Sequence, residues 1–246
     1  MALVGRAGDF AVSSRFTRFA SPNQESMRVP IVRGEATPPP SDGEPPNEMN
    51  ADLEWIRQLG GNAASESSAN GEVWRVTLDL TAVSDAQLAR LSDHVPVIAL
   101  SLARTGVSDK GASQMKSLAR LHTLNLCQTE VSDIAMAAVG EMDALQMLNL
   151  QQTKVTDNGL GYLLQGGQLR WLALDRTAVT DAGTVWLAAM PQLQRVSLRG
   201  TNVTDEGLLT LGQSRSLEVI EVAGSKVTLD GIMTLRRIRP LLQVVN

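Results

Sequence analysis

The sequence is poor in the residues on which most catalytic chemistry depends. One cysteine, Cys127, stands alone among 246 residues, which excludes an intramolecular disulfide framework and suits a reducing compartment. Two histidines, His94 and His122, are the whole supply of imidazole. His122 and Cys127 are near in sequence, yet the extended chain between them holds them about 16 Å apart, too far for a nucleophile and its base. So dispersed a set gives no expected zinc site either. No glycine-rich phosphate loop of the Walker or dinucleotide type is present. Basic residues number 22 against 26 acidic ones, a formal net charge of -4, so no cationic excess is available to release counterions from a phosphate backbone. Nucleic acid is therefore not the expected partner. No apolar run approaches the roughly 20 residues that span a bilayer, and the opening MALVGRAGDF lacks the apolar stretch of a secretory signal. These absences together lead to the expectation of a soluble cytoplasmic protein that is not an enzyme and uses no cofactor.

What the chain has instead is a period. Valine followed by Ser or Thr recurs at Val83, Val107, Val131, Val155, Val179, Val203 and Val227, always 24 residues apart. Two positions earlier stands a hydroxyl: Thr81, Thr105, Thr129, Thr153, Thr177, Thr201 and Ser225. Two positions later come Asp85, Asp109, Asp133, Asp157, Asp181 and Asp205, until Leu229 and then Asp230 break the pattern. Leucines keep the same register, with Leu121, Leu124 and Leu126 followed by Leu145, Leu148 and Leu150, then Leu169, Leu172 and Leu174. The unit reads L-x-x-L-x-L-x-x-T-x-V-T-D-x-G-L-x-x-L.

Each part of that unit has a physical meaning. Alternating L-x-L describes a short strand with one set of side chains inward. Ser or Thr followed by Asp describes a helix start, the hydroxyl capping free amides and the carboxylate favouring the positive end of the helix dipole. Leucines three apart, such as Leu160 with Leu163 and Leu208 with Leu211, give that helix a buried stripe. Read this way, the stacked aspartates each satisfy amides of their own helix, in preference to binding calcium. The threonine column bonds backbone groups of the adjoining turn. Gly111, Ala135, Gly159, Gly183, Gly207 and Gly231 mark a close approach, since helix propensity alone does not select glycine there; the first unit has Gln87.

On these motifs the chain resembles the leucine-rich-repeat family, in the V-T-D-x-G-L form common in bacterial proteins, over about residues 72–246. It is also similar to the cysteine-containing repeats of F-box substrate adaptors, although Thr stands where those carry Cys. The resemblance implies an α/β solenoid, a horseshoe or arc with parallel strands on the concave face and helices on the convex face. For function it implies a platform that binds a protein partner. A substrate-recognition adaptor of a ubiquitin-ligase-like system is a more distant implication.

The ends differ from the array. Residues 1–48 form a tail and a Pro-rich linker containing TPPPSDGEPPN, and Phe10, Phe16 and Phe19 lie there beside Arg6, Arg15 and Arg18. That tail reads as unstructured, with a docking peptide or an organelle-targeting helix as alternatives. Residues 49–71 read as a capping helix and loop, with Asn50 as N-cap, Leu53, Ile56 and Leu59 as the buried stripe and Gly60 as terminator. Trp55 and Trp74 are expected to pack at that junction. Residues 72–246 hold about seven units and a terminal strand. That last strand, Leu241 to Val245, is expected either to be covered by Arg236, Arg237 and Arg239 or to pair with another chain, because a bare apolar edge invites aggregation.

Residues eight, six and four before each valine should point away from the core in three columns, with neighbours about 4.8 Å apart. The columns bring Met147 and Trp171 beside Asn149, Gln151, Asp175, Arg195 and Arg199. An aromatic with arginines on a concave surface is what a protein-binding hot spot requires. The plainer alternative is that Trp171 lies over Met147 and Arg195 to shield the sheet. Tyr162 and Trp186, at matching positions on adjacent helices, are assigned to packing or chance, with a second, convex patch as the alternative.

Overall fold

The structure, a computed structural model, describes residues 48–68, 71–91 and 95–246. His94 and the phenylalanine-rich tail lie outside the described residues. The chain begins with helix α1 (Glu48–Gln58) and strand β1 (Asn62–Ser68), followed by β2 (Gly71–Thr77). Strands β3 (Val97–Ser101), β4 (Thr123–Asn125), β5 (Met147–Asn149), β6 (Trp171–Ala173), β7 (Arg195–Ser197), β8 (Val219–Glu221) and β9 (Gln243–Val245) follow. Between them run α2 (Asp85–Leu88), α3 (Asp109–Gln114), α4 (Asp133–Gly140), α5 (Asp157–Leu160), α6 (Asp181–Ala189), α7 (Asp205–Leu211) and α8 (Leu229–Ile238). All nine strands make one sheet in chain order, parallel from β2 onward.

The expected solenoid is therefore present, and its register follows the sequence period. Leu124, Leu148, Leu172, Val196 and Ile220 pair in succession across the sheet and are fully enclosed. The first six valines of the 24-residue column are buried, and Val227 is partly buried at the open end. One hydrophobic core runs unbroken from Leu53 to Val244. Burial of aliphatic side chains at about 25 cal/mol per Å² is the main force holding one coil on the next.

The N-terminal cap corrects two expectations. Helix α1 starts at Glu48, so Asn50 lies within it and is not its N-cap. Its end does follow the sequence: Gly60 has a φ of 82°, and the N–H groups of Gly60 and Gly61 donate to Arg57 and Ile56 carbonyls at 2.9 Å, closing the last turn through a left-handed residue. Residues 62–68, read as loop, form β1, which pairs antiparallel with β2 from Asn62↔Thr77 to Ser68↔Gly71. Only Ala63 of this strand is buried, so NAASESS carries no apolar alternation that could have revealed it. Trp55 and Trp74 are both buried in the core at this end, as expected, and the Arg90 guanidinium lies 5.2 Å from the Trp55 ring centre.

The aspartates bond to the next coil, and this corrects the reading that each serves its own helix. Asp157 Oδ1 accepts the Thr180 N–H at 2.8 Å and its Oδ2 accepts the Thr180 hydroxyl at 2.6 Å. The same pair of bonds joins Asp85 to Ser108, Asp109 to Ser132, Asp133 to Thr156, Asp181 to Thr204 and Asp205 to Thr228. Having donated its proton, each of these hydroxyls caps its own helix by accepting an N–H two or three residues on, from Lys110 to Gly231. In five coils the residue four after the valine is a glycine that faces the same carboxylate, and in one it is Ala135, whose N–H donates to Asp109 Oδ1 at 3.2 Å. A Cβ on Gly183 would overlap Asp157 Oδ1, and Gly111, Gly159, Gly207 and Gly231 would meet Asp85, Asp133, Asp181 and Asp205 in the same way. The close approach predicted from the sequence is thus real, and its cause is a carboxylate. Ser84, in the first coil, has no aspartate before it; its N–H and hydroxyl both donate to Gln87 Oε1, at 2.8 and 2.9 Å. Gln87 occupies the glycine position there and does the carboxylate's work.

The threonine column behaves as expected. Thr81, Thr105, Thr129, Thr153, Thr177 and Thr201 each donate to the carbonyl three residues earlier, at 2.6–2.7 Å.

Candidate functional site

The concave face is built from the three columns that the period defines, but they are not equally available. The middle column is enclosed: Ser101, Asn125, Asn149, Ala173, Ser197 and Glu221 are all buried. Asn149 Oδ1 accepts the Gln151 N–H at 3.0 Å, as Asn125 Oδ1 accepts the Cys127 N–H at 3.1 Å. Asn149, expected among the contact residues, is therefore a strand-end clamp.

Asp175, in the third column, is also committed. Its carboxylate accepts the Ser197 hydroxyl, the Arg199 N–H at 3.1 Å and the Gln151 side-chain amide at 2.8 Å. Asp79 repeats part of this arrangement, taking the Ser101 hydroxyl at 2.5 Å and the Ala103 N–H at 2.8 Å. Burial raises the Asp175 carboxyl above its ordinary value, against the opposing pull of Ser197, the Arg199 N–H and the Arg199 and Arg176 charges. Arg199 is exposed and reaches the buried Glu221 at 2.6 Å. A sequence signal for the Asp175 clamp existed in the repeated pairing of Asp with Ser 22 residues on, at Asp79 with Ser101 and Asp175 with Ser197.

The first column is the one open to contact. Met147, Trp171 and Arg195 are Cα partners on β5, β6 and β7, and all three are partly exposed. Trp171 Nε1 and Arg195 Nη1 are enclosed and have no hydrogen-bond acceptor among the described residues. The structure thus brings together six of the seven residues expected at the site as a surface, with Met147, Trp171 and Arg195 on one side, and Gln151, Asp175 and Arg199 on the other.

Along the rim next to the third column runs a feature the sequence reading missed. Leu80, Arg104, Gln128, Gln152 and Arg176 have φ between 55 and 60°, and Gly200 and Gly224 continue the series. Their N–H groups from Leu80 to Gly200 donate to the carbonyl of the next coil at 2.7–3.0 Å, which holds each turn in the left-handed region despite its side chain. Arg104 Nε donates to Gln128 Oε1 at 2.6 Å and Gln128 Nε2 to Gln152 Oε1 at 2.5 Å. Glycine at two consecutive positions of a 24-residue column was the available clue.

Cys127 belongs to the third column and is partly buried. Burial raises its thiol above the ordinary value, and Asp175 and Asp79 add to this while Arg104 opposes it. The shift is away from the thiolate that nucleophilic chemistry needs. His122, exposed just before β4, and Cys127, just beyond it, stand at opposite ends of that strand. Among the described residues no three His, Cys, Asp or Glu side chains converge as a metal site requires, and no helix is long and apolar enough to cross a membrane.

Two other surfaces have apolar content. On the convex side Tyr162 and Trp186 are exposed, and the Trp186 ring lies against Gly161, 3.6 Å from where a Cβ would stand. At the C-terminal end Leu229, Met233, Ile238 and Leu241 are exposed, and a groove of about 560 Å³ is lined by Leu229, Ile232, Met233, Arg236, Val244 and Val245. Of the three arginines expected to cover the last strand only Arg236 reaches it, donating to the Val244 carbonyl at 3.3 Å. Arg239 turns to the previous coil and donates to the Gly212 and Ser214 carbonyls at 2.8 and 2.6 Å; Arg237 is exposed.

The family model described as Leucine Rich repeat matches residues 190–212, the segment spanning β7 and all of α7. No curated protein matches the chain. Among solved structures, internalin C2 of Listeria monocytogenes is similar with a TM-score of 0.45 and 16% identity, over 67% of this chain and 84% of that one. A second internalin of the same organism, inlF, is similar with a TM-score of 0.48 and 18% identity, over 76% of this chain and 60% of the other. With the repeating 24-residue coil laid out strand by strand on one sheet, and one such coil matched by the family model, the chain is a leucine-rich-repeat protein.

Proposed function

We propose that the protein is an interaction scaffold, which binds a protein partner on its concave face through Met147, Trp171 and Arg195, with Gln151, Asp175 and Arg199 at the margin. The observation that carries this reading is the placement of Met147, Trp171 and Arg195 side by side on consecutive parallel strands, each partly exposed, in a face whose middle column is otherwise small and closed. A large aromatic flanked by a flexible thioether and a cation supplies desolvated area together with directional contacts. The partner is a protein, since the net charge of -4 disfavours nucleic acid. On this reading the protein works in the cytoplasm without catalysing a reaction. The test is capture of a partner from the source cell by the full chain and by a Trp171→Ala, Arg195→Ala variant of unchanged circular dichroism. Loss of the partner is expected; its undiminished recovery overturns the reading.

A second reading is favoured by the groove between α8 and β9, where apolar side chains of the last coil stand open. There the array would join a larger assembly or a second copy through Leu241 to Val245. Removal of residues 241–246 would then abolish capture while the concave substitutions leave it intact.

A further inference from the structure

The concave face contains two hydrogen-bond donors that nothing among the described residues satisfies, and their residues are cross-strand neighbours. Trp171 Nε1 and Arg195 Nη1 both lack an acceptor among the described residues, and their Cα atoms pair across β6 and β7. An indole N–H and a guanidinium are donors only, so neither can relieve the other. The carboxylates of the same face are already used. Asp175 accepts from Ser197, Arg199 and Gln151, and Glu221 is paired with Arg199. The Arg195 side chain has no hydrogen bond or salt bridge among the described residues, and an enclosed charged donor left without an acceptor is costly. Two further indole nitrogens, those of Trp55 and Trp74, also lack acceptors, but both rings are buried at the N-terminal end of the core. Among the described residues a neutral and a cationic donor coincide only at β6 and β7, on side chains that are partly exposed.

We propose that the partner places a carboxylate side chain of a peptide segment, that of an Asp or Glu, between Trp171 and Arg195; this inference rests on the concave-face reading above. The guanidinium, swinging about its outer torsions, brings its unpaired nitrogen to one or both carboxylate oxygens, and the indole N–H donates to the same group. Such charge-assisted bonds are shorter and stronger than neutral ones, and arginine's planar fork suits a carboxylate. Met147, on the other side of Trp171, packs against an apolar residue next to the acid. Arg199 stays with Glu221, so the acid is selected by one cation and one indole.

The experiment is selection of a random dodecapeptide library, displayed on phage, against the full chain. Enriched peptides should share an Asp or Glu beside an apolar residue. A synthetic copy with that acid changed to its amide should bind about tenfold more weakly or worse, as should the original peptide to Arg195→Met, while Arg195→Lys recovers part of the loss. On binding, the indole N–H resonance of Trp171, assigned by its disappearance in Trp171→Phe, should move downfield with the acidic peptide and not with its amide. Circular dichroism and thermal midpoints near wild type establish that each variant is folded. Binders without an acid, or amide copies of equal affinity, overturn the carboxylate inference but leave the concave reading intact if Trp171→Ala with Arg195→Ala abolishes binding. Binders indifferent to that double substitution overturn the concave reading itself. Failure to enrich any peptide above the Arg195→Met control overturns the inference, as does inorganic phosphate that moves the same resonance and displaces the peptide at equal concentration.

Discussion

The helix-start edge of each coil and its concave edge handle polar groups in opposite ways. At the helix starts both oxygens of every carboxylate from Asp85 to Asp205 are engaged, and every hydroxyl from Ser108 to Thr228 both donates and accepts. The concave edge at β6 and β7 leaves an indole and a guanidinium nitrogen with no acceptor among the described residues. Both edges belong to the same repeating unit, so the contrast is not one of fold quality. Closed networks make a rigid support, and on the reading proposed above the unfilled donors on that support are where a partner would bind.

The sharpest way to break this comparison is to attack the closed edge. Asp157→Ala should cost about 3 kcal/mol, because it leaves the Thr180 N–H and hydroxyl without their acceptor; urea denaturation would read it as a fall in the midpoint. Gly183→Ala should cost about 1–3 kcal/mol, since its Cβ overlaps Asp157 Oδ1. Combined with Asp157→Ala the glycine change should cost much less, a coupling that a double-mutant cycle measures and that independent sites would not show. At the open edge, Trp171→Ala with Arg195→Ala should alter folding stability by less than about 1 kcal/mol while removing partner binding; a loss as large as that at Asp157 would mean that these side chains are structural.

Smaller effects sharpen the picture. Arg176→Gly should raise stability slightly, by a few tenths of a kcal/mol and at most about 1, because glycine takes a φ of 55° without strain but gives up entropy. Asp175 supplies a pH test. Its folded pKa is raised by burial, so its protonated form is favoured in the fold. That contribution is fully present below the unfolded carboxylate value and is lost as pH rises through the folded one. Relative to Asp175→Asn, wild type should therefore gain stability as pH is lowered from neutral through the carboxylate range; denaturation midpoints at several pH values would show the opposite slope if burial did not dominate.

Much of this was legible in the residues, and the failures have physical reasons. The 24-residue valine column, the L-x-L strands and the threonine bonds could be read because a period assigns each position to one face. Periodicity cannot say whether a repeated donor and acceptor meet within a coil or across a coil boundary, so the aspartates were first assigned to their own helices. The exception held the answer: Gln87 stands where other coils have Gly or Ala, in the one described coil whose helix start has no aspartate before it. β1 was hidden because it pairs through its backbone with few buried side chains, and Asn149 was misplaced because alternation gives a side chain's direction but not whether a backbone N–H beyond the strand takes up its oxygen. The left-handed column was obscured by the arginines and glutamines that occupy most of it.

The direct tie from Asp to Ser or Thr has a direction: each coil gives a carboxylate forward and receives one from behind. If one interior coil between Ser108 and Thr228 were excised at equivalent residues, the flanking partners would meet again in the same geometry, and a duplicated coil would be accommodated as readily. The length of the concave sheet can thus change by whole turns without redesign of any junction, so recombination alone would suffice to lengthen or shorten the array.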